Sequence, residues 1–374
     1  MNKKQNLFFF LKSLINNDTA VIGGRTKKWW TALILYFVSI FIAVIPTMIS
    51  VGKTKGSAIF TGDQFHSDVA MIKFNESLAT NDVDLIFEDS AAGPILTNPS
   101  ANYAFTFDKT LEITDETSVV FNFPYYTFAR TETYTIENSD GTTTEETKVT
   151  EHLRVYYVAS MDGFVFHGGK HLTPEVYLAN YLAKAKSTEE KIVSHFILGK
   201  NGITIRIYNP TKATEGKNVE RSYNGVYKKV PVGLNIKNFY LKDKDGNPLD
   251  STAMTFKSEV LASWANLVDV AYGPVKVNLF FAQSGLSLLV YAVISAFIGL
   301  VIFLSTRGKN NPNRSITFKE SMQIGCWLLL SPALITLVIG SFLPQYAALI
   351  YVATLGMRSV WLTMKSLRPV QPAK

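Results

Sequence analysis

His167 and His171 stand four residues apart, the separation that lets two imidazoles on one helix face share a zinc ion. Gly168, Gly169 and Lys170 lie between them, and a glycine pair argues for a loop instead. No acidic third ligand follows at a recognisable spacing, so the pair is expected to be exposed loop histidines. The stretch Asp243-Lys244-Asp245-Gly246-Asn247-Pro248-Leu249-Asp250 alternates oxygen-bearing side chains as a calcium loop does. Its glycine arrives too early for that geometry, and no glutamate stands at the twelfth position, so a tight polar turn is expected. Glu145 and Glu146 fit a solvated hairpin better than an acid–base pair. The sequence contains no G-x-S-x-G elbow, H-E-x-x-H, Walker A loop or G-x-G-x-x-G pattern. Cys326 is the only cysteine, which excludes an intrachain disulfide and a cysteine-based metal site. No catalytic residue, cofactor or metal is therefore assigned.

The apolar segments are more informative. Trp29 to about Val51 runs 23 residues without a charge, enough to cross a hydrocarbon core of about 30 Å. It is too long for the core of a signal peptide, and no small-residue cleavage site follows, so it reads as a retained anchor. Further spans are expected at 277–305, 322–343 and 345–364, the last two separated only by Pro344. Pro46 and Pro332 are expected to kink their spans. Asp, Glu and His are missing from all four, which argues against a proton relay. Arg358 is the one deep cation and is expected to snorkel to the interface, where Trp29 and Trp30 also belong. Gln283, Ser284 and Ser287, with Ser295 and Gly299, give the second span a small, weakly polar face suited to close helix packing.

Charge sets the expected topology. Residues 52–276 carry 23 Lys and Arg against 28 Asp and Glu, whereas the remainder carries 14 against 2. The net charge of +7 is thus a membrane-flanking excess, and no basic stripe with interleaved aromatics points to nucleic acid. Lys and Arg cluster in 1–28, 306–321 and 365–374, which share one side if there are four crossings. That side is expected to be the cytoplasm of a bacterial plasma membrane, with both termini inside and residues 52–276 outside. Residues 6–15 form a short apolar run ahead of a Gly23-Gly24 break, either an interfacial helix on the inner leaflet or one packed on the span ends.

The large middle segment is expected to be an α+β domain, strand-dominated and antiparallel. Tyr103, Phe105 and Phe107 alternate with polar residues, the mark of a half-buried strand. Thr131–Asn138 and Thr142–Thr150 flank Ser139-Asp140-Gly141, a hairpin signal. Strands are also expected at 154–159 and 164–166, and after Asn201-Gly202, where Ile203, Ile205 and Ile207 alternate. Thr173-Pro174-Glu175 opens a helix to about Ala185. Ser187 and Glu190 predict a second helix, ended by Gly199. A third is expected from Ser251 to Tyr272, broken by Gly273-Pro274.

The N-terminal FFFLKSLINN…IGGRTKKWW with its long span, and the phrase ITFKESMQIGCWLLLSPALI, are together similar to a family of Firmicute-type four-span membrane proteins. That family carries a domain of unknown function and is sometimes found beside maltodextrin-utilisation genes. The resemblance covers about 120 residues of the membrane parts. It implies the architecture and a bacterial plasma membrane, and supplies no catalytic residue.

The function these features favour is a non-catalytic accessory subunit or scaffold of a membrane complex, in contact with the lipid bilayer and with a membrane-protein partner or another copy of itself. A second reading is a transport-associated or sensing protein whose outer domain binds a carbohydrate or peptide on Tyr125, Tyr126, Tyr156, Tyr157 and Trp264. A third is a membrane-anchored enzyme, which needs convergent polar groups around His152, His167 and His171. A lone channel or secondary transporter is disfavoured, because four spans without inverted repeats leave little room for a midplane site.

Overall fold

The computed structural model describes residues 3–60, 67–89, 92–97, 109–114, 118–137, 143–163, 165–167, 169–185, 193–208, 221–243, 245–309 and 311–367. They fall into two units, Met1–Thr54 with Lys276–Lys374, and Lys55–Val275. The chain begins with helices α1 (Lys3–Ile15), α2 (Asn17–Thr26), α3 (Trp29–Lys53) and α4 (Ser67–Thr80). Strands β1 (Asp84–Ile86), β2 (Ile95–Thr97), β3 (Lys109–Thr114), β4 (Val120–Glu137), β5 (Thr143–Tyr157), β6 (Val165–His167) and β7 (Lys170–Leu172) follow. Next come α5 (Pro174–Ala185), β8 (Ser194–Leu198), β9 (Gly202–Ile207), β10 (Arg221–Val226) and a short α6 (Asn238–Leu241). The chain closes with α7 (Phe256–Ser305), α8 (Phe318–Leu328), α9 (Leu330–Phe342) and α10 (Ala347–Trp361), the last extended by a π-turn at Leu362–Ser366.

Four helical stretches are long and apolar enough to cross a membrane: Trp29–Lys53, Phe256–Ser305, Phe318–Phe342 and Pro344–Ser366. In this unit Ile40, Ala43 and Val44 of α3 share a core with Tyr291 and Ile302 of α7, Ile324 and Leu328 of α8, and Tyr351 and Leu355 of α10. Two glycine expectations need correction. Gly23-Gly24 does not break the chain but lies inside α2, where the missing side chains admit α8. A methyl on Gly24 would sit 2.6 Å from the Ile324 backbone nitrogen, and one on Gly23 would sit 2.8 Å from the Trp327 ring. Gly273-Pro274 likewise lies within α7, which runs unbroken for 50 residues. One proline costs a helix about 3 kcal/mol. Burial on either side of it outweighs that, with Val260, Trp264 and Val268 before it and Tyr291, Ile298 and Ile302 after it all buried.

In the other unit, six strands form one sheet in the order β10-β9-β8-β5-β4-β3. One face carries Val155, Phe196, Ile203, Ile205 and Ile207 against Phe74 and Leu78 of α4 and Trp264 and Val268 of α7. The opposite face packs Phe123, Tyr156 and Ile197 on Tyr177 and Leu178 of α5. Trp264 is fully buried, and its indole N–H donates to Asn75 Oδ1 while Asn75 Nδ2 donates to the Ile236 carbonyl at 2.6 Å. This small network ties α4, α7 and the turn before α6.

The expected all-antiparallel sheet is corrected, because β5 and β8 are parallel, from Leu153 opposite Ser194 to Tyr157 opposite Leu198. The connection between them carries α5, as a parallel crossover requires. The same strand corrects the helix expected to end at Gly199, since Ser194–Leu198 is buried at every residue. A short apolar run covered on both faces has no period by which to tell strand from helix. The expected start of that helix, 187–192, lies outside the described residues, as do the strand at 103–107 and the turn Ser139-Asp140-Gly141.

Candidate functional site

On α7, Ser284, Tyr291, Ser295, Ile298 and Ile302 are buried in the spacing of one helix face. Ser295 Oγ and Tyr351 OH share a hydrogen bond of 2.8 Å, and the rings of Tyr291 and Tyr351 lie 4.7 Å apart. Tyr36 OH donates to the Ala292 carbonyl at 2.8 Å. A methyl placed on Gly325 would lie 3.2 Å from the Gly299 Cα, so the two glycines allow α7 and α8 to meet closely. Three of the residues expected on a packing face, Ser284, Ser295 and Gly299, therefore face the chain's own helices. Ser287 is half-buried at the flank and Gln283 is exposed. Trp29 and Trp30 open α3 with both rings largely exposed.

The Arg358 guanidinium, half-buried, donates to three acceptors in its own unit. Its Nε donates to Asn17 Oδ1 at 3.2 Å, one terminal nitrogen to the Leu328 carbonyl at 3.0 Å and the other to the Ser13 carbonyl. The Leu328 carbonyl is open because its helical donor, four residues on, would be the nitrogen of Pro332. The helix is interrupted at Leu329, between α8 and α9. Proline thus creates an orphan acceptor and arginine fills it, joining α1, α2, α8 and α10 at one point. None of the bonds is to a carboxylate. A lone proline and a lone arginine in separate spans give no sequence signal that they meet.

The aromatic residues expected to offer a ligand platform lie inside. Tyr125, Tyr156, Tyr157 and Trp264 are 9 %, 0 %, 3 % and 0 % exposed, and Tyr126 is half-buried. The histidine pair forms a tight hairpin, with His167 opposite Lys170, His171 opposite Phe166 and Gly169 at φ +77°. That register places the two positions on opposite faces of the ribbon. Among the described residues no group of three His, Cys, Asp or Glu could hold a metal. Asp243 accepts the backbone N–H of Asp245 at 2.9 Å and of Asn247 at 2.8 Å, and the Asn247 side chain at 3.0 Å. Those bonds, the Asn247 side chain first, hold its carboxyl below the usual range, and they leave it committed to its own turn. His195 is buried on β8, where desolvation lowers its pKa to about 4.

The strands expected at 131–138 and 142–150 form the outer part of a longer hairpin, β4–β5. Among the described residues β3 pairs with β4 from Val120 to Tyr125, and β8 pairs with β5 from Leu153 onward. Beyond a bulge at Phe128 and Ala129, the strands pair only with each other among the described residues, from Ala129–Glu151 out to Glu137–Thr143. At about 3.4 Å per residue this paired stretch, the β4–β5 arm, is roughly 27 Å long. Thr131, Thr133, Thr135, Thr143, Glu145, Thr147 and Val149 are exposed along it. Residues 129–151 hold six acids, two bases and eight threonines. The Asp-Gly signal itself lies outside the described residues, and the strands it is expected to join are paired in the expected order.

No family model, curated protein or solved structure matches the chain.

Proposed function

We propose that the chain is a non-catalytic accessory subunit of a bacterial plasma-membrane assembly, held by four spanning helices and contacting its partner through the β4–β5 arm. The observation that carries this reading is the arm itself. Among the described residues its outer part pairs only with itself, and a two-stranded ribbon buries little and is marginally stable on its own. The edge of such a ribbon is the template by which sheets accept an added strand. The acidic balance of 129–151 favours a partner segment that is extended and basic. Lys and Arg around the helix ends argue for termini in the cytoplasm and the sheet unit outside.

The test is photo-crosslinking in native membranes from an unnatural side chain at Thr133 or Thr147, which are register partners on the exposed arm. A discrete crosslinked protein from both positions, absent from a control at exposed Lys257, is the expected result. Crosslinks to lipid alone, or none, would overturn the arm as a contact site.

A further inference from the structure

Two depressions meet on the last helix. One, of 670 Å³, is walled by Asn16 and Asn17 at the α1–α2 junction, Pro332 and Ile335 of α9, and Arg358 of α10. The other, of 730 Å³, is an apolar trough along Met357, Val360, Trp361 and Met364. Met357, Trp361 and Lys365 line both. The combined surface is polar and cationic at one end and apolar along the other.

Among the described residues the charge at the polar end is uncompensated. Arg358 uses three of its five N–H groups on neutral oxygens, leaving two for another acceptor. Lys365 sits on the π-turn with its ammonium 5.6 Å from the Trp361 ring centre and is paired with no carboxylate among the described residues. Asp18 is the one acid on the rim among the described residues, and it is exposed. A half-buried guanidinium without an anion is costly, and a bidentate phosphate is the partner its fork fits best.

We propose that this site binds one anionic phospholipid. Its phosphate lies between Arg358 and Lys365, with the Asn16 and Asn17 amides at the same wall. Its acyl chains lie along Met357, Val360 and Met364. The trough favours a lipid over free phosphate, because apolar surface of that extent beside a cation pair matches an amphiphile. The inference rests on the four apolar helices crossing a bilayer.

The test uses the full chain in neutral detergent, offered equimolar phosphatidylglycerol and phosphatidylcholine of identical acyl chains, and read by native mass spectrometry. Phosphatidylglycerol is expected to be retained preferentially, with the preference falling about fivefold in Lys365→Gln. Lys365 is exposed, so that variant keeps the fold, which unchanged thermal unfolding verifies. Equal retention of the two lipids, or an undiminished preference in Lys365→Gln, would overturn the site. Retention of inorganic phosphate without lipid preference would overturn the lipid assignment. Release of the chain from membranes by alkaline carbonate would instead overturn the spanning reading beneath it.

Discussion

Arg358 and His195 are both ionisable side chains taken from water, and the structure handles them oppositely. Arg358 keeps its charge by donating to carbonyls, one of them freed by Pro332. Restoring an N–H with Pro332→Ala gives the Leu328 carbonyl a helical donor again. Arg358→Gln should then cost about 1 kcal/mol less in the Pro332→Ala background than in the native one. A double-mutant cycle of thermal unfolding in detergent measures this, and strict additivity would disprove the coupling. His195 stays neutral instead. Its pKa is about 4 in the folded chain, with burial the leading cause, against an ordinary value of 6.5. Above pH 6.5 neither state binds the proton. As pH falls toward 4 the unfolded state binds it first, so stability is lost across that window. Between pH 7.5 and 5 the native chain should lose about 2 kcal/mol more than His195→Phe, on the scale of 1.4 kcal/mol per pKa unit. Parallel pH profiles for the two proteins would refute it.

Helices whose glycines meet backbone should be the least tolerant elements. A methyl at Gly24 lands within 2.7 Å of Ile324 backbone atoms, which cannot swing aside as a side chain end can. Gly24→Ala should therefore push α2 from α8 and cost roughly 1–3 kcal/mol. Gly285, also helical, has nothing within 4 Å of its would-be methyl. Gly285→Ala should be neutral or stabilising by up to about 1 kcal/mol, since alanine is the better helix former. Melting temperatures of the two variants decide the matter, and equal effects would contradict the packing described. The contrast shows what the sequence could convey. Charge-free runs reveal the apolar helices, and the alternation of Ile203, Ile205 and Ile207 reveals β9, because each is a local pattern. The sequence does not separate a glycine that ends a helix from one that admits a neighbour, so Gly23-Gly24 and Gly273 read as breaks. Nor does it reveal β8 as a strand, because burial on both faces erases the period. The Ser295–Tyr351 and Arg358–Leu328 contacts join residues 56 and 30 positions apart, beyond any local signal.

For the molecule as a whole, the proposed topology puts the sheet unit and the basic loops on opposite sides of a bilayer. With Cys326→Ser as background, a cysteine at Thr133 should react with an impermeant maleimide in intact cells. One at Lys309 should react only after permeabilisation, and the reverse pattern would invert the proposed topology. Co-purification probes the proposed recruitment of a partner by the arm. The full chain and a version with 131–149 replaced by Asn-Gly, which closes the Arg130–Thr150 pair in a two-residue turn, would be purified from native membranes in mild detergent. The account predicts a stoichiometric partner with the full chain and its loss from the trimmed one, at unchanged membrane content and thermal stability. A partner retained equally by both, or a full chain that purifies alone, would contradict it.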